Sequence, residues 1–153
     1  MSSPTLIGYN DFLRNIVGIN TAVLPVNTPV IEWSYNMAIN LCSDILTVIP
    51  NSPSQFLYTT AVYNLATDTL LTFAQDQPGL EFFQKYQQQY QLRAFVPGVV
   101  QTASDESTST GMLVPDAFKG LTIQNLQNLK TPYGREYLAI AQSIGSLSLL
   151  NIQ

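Results

Sequence analysis

The chain has 153 residues, 46% of them apolar and only 10% charged, with a net charge of −4, no histidine and one cysteine. An ordinary soluble domain carries about 25% charged residues. This composition argues against nucleophilic catalysis that needs a histidine base. It argues equally against phosphate-backbone binding, because the six basic residues are scattered and none falls between Arg14 and Lys85.

In chain order, Phe12, Leu13, Ile16 and Val17 predict a short helix over about Asn10–Val17, after which Gly18 and Pro25 bracket a loop. Thr28-Pro29 is a helix start: threonine accepts from orphan backbone donors, and proline at the first helical position loses nothing. Glu32 in that opening turn complements the helix dipole. Trp33, Met37, Leu41, Cys42, Ile45 and Val48 then recur at helical spacing until Pro50, and Tyr35, Ala38, Ile39 and Ile49 widen the apolar face. Ser52-Pro53-Ser54-Gln55 reads as a capping box for the next helix. That helix runs through Phe56, Leu57, Ala61, Val62, Leu65, Ala66, Leu70 and Phe73 to about Gln75, and Asp76-Gln77-Pro78-Gly79 closes it with turn chemistry. A short connection between two helices of about twenty residues makes them an antiparallel hairpin.

Leu80, Phe83, Tyr86 and Tyr90 predict a further helix with Gln87, Gln88 and Gln89 on a solvated face. Val96–Val100 reads as extended. The run Thr102–Gly111 contains no large apolar residue, so residues 96–115 are expected to form a loop or β-hairpin arm. Helical signals resume over Thr122–Leu129. Thr131-Pro132 then opens a last helix through Tyr137, Leu138, Ile140, Ala141 and Ile144, expected to end at Gly145. The tail Ser146–Gln153 alternates polar residues with Leu147, Leu149, Leu150 and Ile152, which predicts an extended docking tail. The fold class expected is mainly α: a small single-domain helical bundle on a long antiparallel helix pair, with one extended arm and an extended carboxyl tail.

The chemistry-bearing residues are sparse. Cys42, among Leu41, Ile45 and Leu46, reads as a buried and inert thiol. The carboxylates are dispersed, with Asp105-Glu106 the only adjacent pair, so neither a metal site nor a cofactor site is expected. The aromatic residues between Tyr58 and Tyr90 have only Lys85 interleaved among them and read as packing rather than as a base-stacking platform. The amino terminus lacks the basic and apolar segments of a signal peptide. Val30–Ile49, the longest apolar stretch, is broken by Glu32, Asn36, Asn40, Ser43 and Asp44. The expectation is a soluble protein, made in a cytoplasm, with no membrane partner. Proteins stay apart in solution largely through charge. A chain this poor in charge is therefore expected to keep much of its surface against neighbours, as an assembly subunit and not an enzyme.

The segment Val99-Val100-Gln101-Thr102-Ala103-Ser104-Asp105-Glu106-Ser107-Thr108-Ser109, followed by Lys130-Thr131-Pro132-Tyr133-Gly134-Arg135-Glu136-Tyr137, resembles the tailed-bacteriophage head–tail connector (adaptor) proteins. Members carry a Ser/Thr-rich loop and then a Thr-Pro-Tyr-Gly helix start near the carboxyl end. The chain departs from them at Leu138, where an aromatic commonly follows the second tyrosine, and in the Gln-rich helix after Leu80. The resemblance implies a virion subunit at the head–tail junction that assembles as a ring, expected twelvefold, beneath the portal protein. Such a ring lengthens the DNA channel, passes DNA without specific binding, and docks the next neck or tail component. Thr102, Ser104, Asp105, Glu106, Ser107 and Thr108 are the candidate lumen or docking loop. Thr131, Pro132, Tyr133, Gly134 and Tyr137 form the family-like helix start, and Leu147, Leu149, Leu150 and Ile152 the candidate docking tail. The alternatives are another virion role (stopper, tail terminator or capsid-associated protein) and a monomeric helical module binding a ligand between its helices.

Overall fold

Thr5 opens the first helix, its hydroxyl accepting from the Gly8 amide at 2.9 Å. In the computed structural model of the chain, which describes residues 3–46, 54–94 and 127–152 (side chains over 3–42, 56–94 and 127–143), helix α1 spans Leu6–Phe12. It therefore starts four residues before the expected Asn10, because Thr5 supplies the cap. The chain continues as a π-helical turn, Leu13–Val17, that ends on Gly18 at φ 85°, a left-handed conformation that glycine adopts without steric cost. Arg14 holds the following loop by donating to the carbonyls of Ile19 at 2.8 Å and Leu24 at 2.7 Å.

Helix α2, Pro29–Leu46, begins at the expected Thr-Pro pair. The Thr28 hydroxyl points backward, however, and donates to the Pro25 carbonyl at 2.7 Å. Helix α3, Ser54–Phe73, is the centre of the molecule, with α2 on one side and α5, Pro132–Ile152, on another. From Tyr58 to Leu71 every α3 residue is buried except the half-buried Thr60 and Thr69. A helix enclosed on all sides must satisfy its polar side chains internally. It does so by back-bonding: Asn64 donates to the Thr60 carbonyl at 2.8 Å, Thr67 to Tyr63 at 2.7 Å, Thr69 to Leu65 at 3.0 Å and Thr72 to Asp68 at 2.8 Å.

Aromatic residues tie the amino-terminal helix to this axis. The Tyr9 ring lies 5.9 Å from Tyr35 and 5.8 Å from Tyr63, and Phe12 lies 5.5 Å from Tyr63. The Tyr63 hydroxyl accepts from the Thr5 amide at 3.1 Å and donates to the Thr5 carbonyl at 3.2 Å, so one phenol pins the start of α1. Tyr9 is fully buried, and burial raises its phenol far above the usual range. The Ser34 hydroxyl donates to the Ile31 carbonyl at 3.0 Å, which leaves its oxygen, 3.5 Å away, to accept from Tyr9.

The joint between α3 and α4, Phe82–Gln89, is closed from both ends. Asp76 accepts from the Phe83 amide at 2.8 Å through one carboxylate oxygen and from Gln84 at 2.9 Å through the other, capping a helix whose own N-cap residue, Glu81, makes no such bond. In return the Gln87 amide donates to the Leu71 carbonyl at 3.1 Å and the Ala74 carbonyl at 2.9 Å, satisfying the last turn of α3. Gln87 is thus buried, against its expected place on a solvated face, because two orphan carbonyls lie within its reach.

Two further expectations change. The stripe Trp33, Met37 and Leu41 is exposed; the buried face of α2 is Ile31, Ser34, Tyr35, Ala38 and Cys42. Helix α5 passes through Gly145 and continues to Ile152, so the carboxyl end is helical and not an extended tail. One glycine costs a helix interior only about 1 kcal/mol, and no proline follows to stop it. The expected arm over 96–115 lies outside the described residues, and among the described residues no strand occurs.

Candidate functional site

The Thr-Pro-Tyr-Gly start of α5 is a buried joint against the middle of α3. Thr131 is fully buried and caps its helix, its hydroxyl oxygen accepting from the Gly134 amide at 2.9 Å. The same hydroxyl donates to the carboxylate of Asp68, 63 residues earlier. Pro132 sits at the first helical position. A Cβ on Gly134 would collide with the Asn128 carbonyl, so glycine is what lets the preceding chain turn this closely over the helix. Tyr133 and Tyr137 are half-buried against the core. Tyr137 meets Cys42, and burial pushes that thiol up to about 12, which makes it the inert group expected.

Asp68 is the one buried acid among the described residues, 5% exposed. Burial pushes its carboxyl up to about 6, the Thr131 hydrogen bond opposing the rise. Among the described residues no cation lies within ion-pair distance of it, and the only ion pair joins exposed Lys85 and Glu81 at 3.5 Å. Arg93 lines the same groove as Asp68, and the other described basic groups are engaged elsewhere. Lys130 donates to the carbonyls of Gln91, at 3.0 Å, and Ala94, while Arg135 donates to the Leu129 carbonyl at 3.2 Å.

Asp68 faces a groove of about 790 Å³. One wall is α2, through Trp33, Met37 and Leu41. The other is α3, through Asp68, Thr69, Thr72 and Phe73, with Leu92, Arg93 and Asn128 closing the end nearest the start of α5. The wall is apolar yet open: Trp33 is 44% exposed, Met37 and Leu41 39%, and Phe73 58%. The Trp33 and Phe73 rings meet edge-on at 5.5 Å across the groove. Neither the groove nor Asp68 stood out in the sequence, since a lone aspartate inside an apolar helix carries no motif.

Of the residues singled out by sequence, Thr131, Pro132, Tyr133, Gly134 and Tyr137 come together at the start of α5. Leu147, Leu149, Leu150 and Ile152 fall within the helical backbone of α5. Thr102, Ser104, Asp105, Glu106, Ser107 and Thr108 lie outside the described residues. Among the described residues there is no cluster of metal-ligating side chains, and no helix is long and apolar enough to cross a membrane. No family model, curated protein or solved structure matches the chain.

Proposed function

We propose that the protein is a structural subunit of a phage neck: a head–tail adaptor that forms a ring under the portal, extends the DNA channel and docks the next neck or tail component. One observation carries this reading beside the resemblance of the Ser/Thr-rich segment and the Thr-Pro-Tyr-Gly start. Large apolar side chains stand exposed on three helices, Ile7 and Trp33 on α1 and α2, Phe56 and Phe73 at the two ends of α3, on a chain with 10% charged residues. Isolated exposed apolar residues are ordinary, whereas several without surrounding charge favour association. Side-to-side contacts of one patch against a different one generate closed rings when the rotation closes. The described cations are spent on backbone carbonyls or on Glu81, except exposed Arg93. A channel lining built from such a surface lacks the multi-phosphate contacts that would grip passing DNA.

The test is native mass, measured on the purified chain alone and mixed with portal rings. The expected result is a cyclic oligomer, or a monomer that becomes a ring on the portal. A monodisperse monomer that ignores every portal and neck protein of its virus would overturn the reading.

A further inference from the structure

The groove between α2 and α3 combines an apolar wall with three acceptors on α3, Asp68, Thr69 and Thr72, while the donor-bearing Gln75, Arg93, Gln127 and Asn128 complete its lining. Asp68 presents a carboxylate with no cationic partner among the described residues, and the hydrogens of Thr69 and Thr72 are committed to the carbonyls of Leu65 and Asp68, leaving lone pairs toward the groove. An unpaired carboxylate removed from water is costly, and a donor-rich cation that reaches it recovers much of that cost. An ammonium or guanidinium group offers donors and no acceptor. Trp33 and Phe73 add aromatic faces to which a cation is drawn. Exposed Arg93 also lines the groove, while burial is the largest influence on the ionisation of Asp68 and the Thr131 hydrogen bond opposes it.

The shape selects between a small amine and a segment of chain. Trp33, Met37 and Leu41 lie four residues apart along α2, an open stripe of about 12 Å, which matches roughly four residues of extended peptide. The chain's net charge of −4 favours a basic partner as well.

We propose that this groove docks a basic–apolar segment of a partner protein, with one Lys or Arg side chain reaching the Asp68 carboxylate and flanking apolar side chains covering Trp33, Met37, Leu41 and Phe73. The inference stands on the groove itself and goes beyond the neck reading: it specifies a recognition chemistry whether or not the chain forms a ring.

Trp33 is the only tryptophan in the chain, so intrinsic fluorescence reports directly on the groove. The probe is an acetylated, amidated peptide of Leu, Ala and Ser with one central Lys, compared with the same peptide carrying norleucine there. Saturable change in Trp33 emission is expected, with the Lys peptide bound about tenfold or more tightly than the norleucine peptide. Asp68→Asn should erase that preference while keeping the Thr131 hydrogen bond, and far-UV circular dichroism checks that it folds. Leu41→Gln, on an exposed wall residue, should weaken both peptides together. Equal affinity for the two peptides, a Lys preference that survives in D68N, or no saturable binding up to about 1 mM would each overturn the proposal. So would 2-phenylethylamine binding as tightly as the Lys peptide, which would assign the groove to a small amine. A ring without the Lys preference removes this inference and leaves the neck reading; a monomer with the preference does the reverse.

Discussion

Replacing Asp68 by Asn should make the protein more stable at neutral pH, although it removes a charge from the start of a helix. The folded protein holds this carboxyl near pH 6 rather than at its ordinary 3.8, chiefly through burial. A rise of that size corresponds to about 3 kcal/mol of preference for the neutral form. Below pH 3.8 the group is protonated in both states and costs nothing. Between 3.8 and about 6 the unfolded chain ionises first, so stability falls with rising pH, and above 6 the folded chain carries the full penalty. Favourable interaction of the carboxylate with the amino terminus of α5 offsets roughly 0.3–1 kcal/mol. The net expectation is that Asp68→Asn gains about 2 kcal/mol at pH 7.5, or about 4–8 °C in Tm for a domain of this size, and almost nothing at pH 4. Tyr86, whose ionisation is coupled to this carboxylate, has its phenol held above the usual range by burial and stays neutral throughout the window. Urea titrations of both proteins at equal concentration, followed by Trp33 emission and circular dichroism from pH 4 to 8, provide the measurement. A stability gap that is flat across that range, or that widens toward acid, would refute the reasoning.

Other consequences are simpler. Gly134→Ala should destabilise by about 1–3 kcal/mol, the usual cost of overpacking, because its methyl would meet the Asn128 carbonyl; urea midpoints check it. Gln87→Ala should cost about 1–3 kcal/mol by leaving the carbonyls of Leu71 and Ala74 without their donor, and hydrogen exchange should rise first across the α3–α4 joint. Cys42, buried with its thiol pushed up to about 12, should resist a thiol reagent at pH 8 and react only at the rate of unfolding. Rapid labelling of the native protein would contradict its placement.

Much of the backbone was legible because the punctuation is local. Thr28-Pro29, Asp76–Gly79 and Thr131-Pro132 mark starts and stops through their own chemistry, and α2, α3 and α5 begin or end close to them. What sequence does not resolve is which side faces inward when a helix is apolar over most of its circumference. On α2, both Trp33–Met37–Leu41 and Ile31–Tyr35–Ala38–Cys42 repeat at helical spacing. The second wins because its residues fit against α3, leaving the larger side chains to the groove. The same limit hides Asp68 and Gln87, whose partners lie 63 and 13–16 residues away. A polar residue's fate then depends on tertiary neighbours. Alternating Ser and Leu after Gly145 suggested an extended run, and a helix already under way overrode it.

The reciprocal bonds at the α3–α4 joint also bear on the order in which the molecule assembles. Asp76 reaches forward seven and eight residues, and Gln87 reaches back thirteen and sixteen. Loops this short close with little entropic loss. An eight-residue helix is too short to persist alone in water, so α4 forms only as the end of α3 supplies its acceptors, and the end of α3 is completed only by α4. The pair is therefore expected to form early as a single folding unit, ahead of the distant meeting of Asp68 with Thr131 that seats α5.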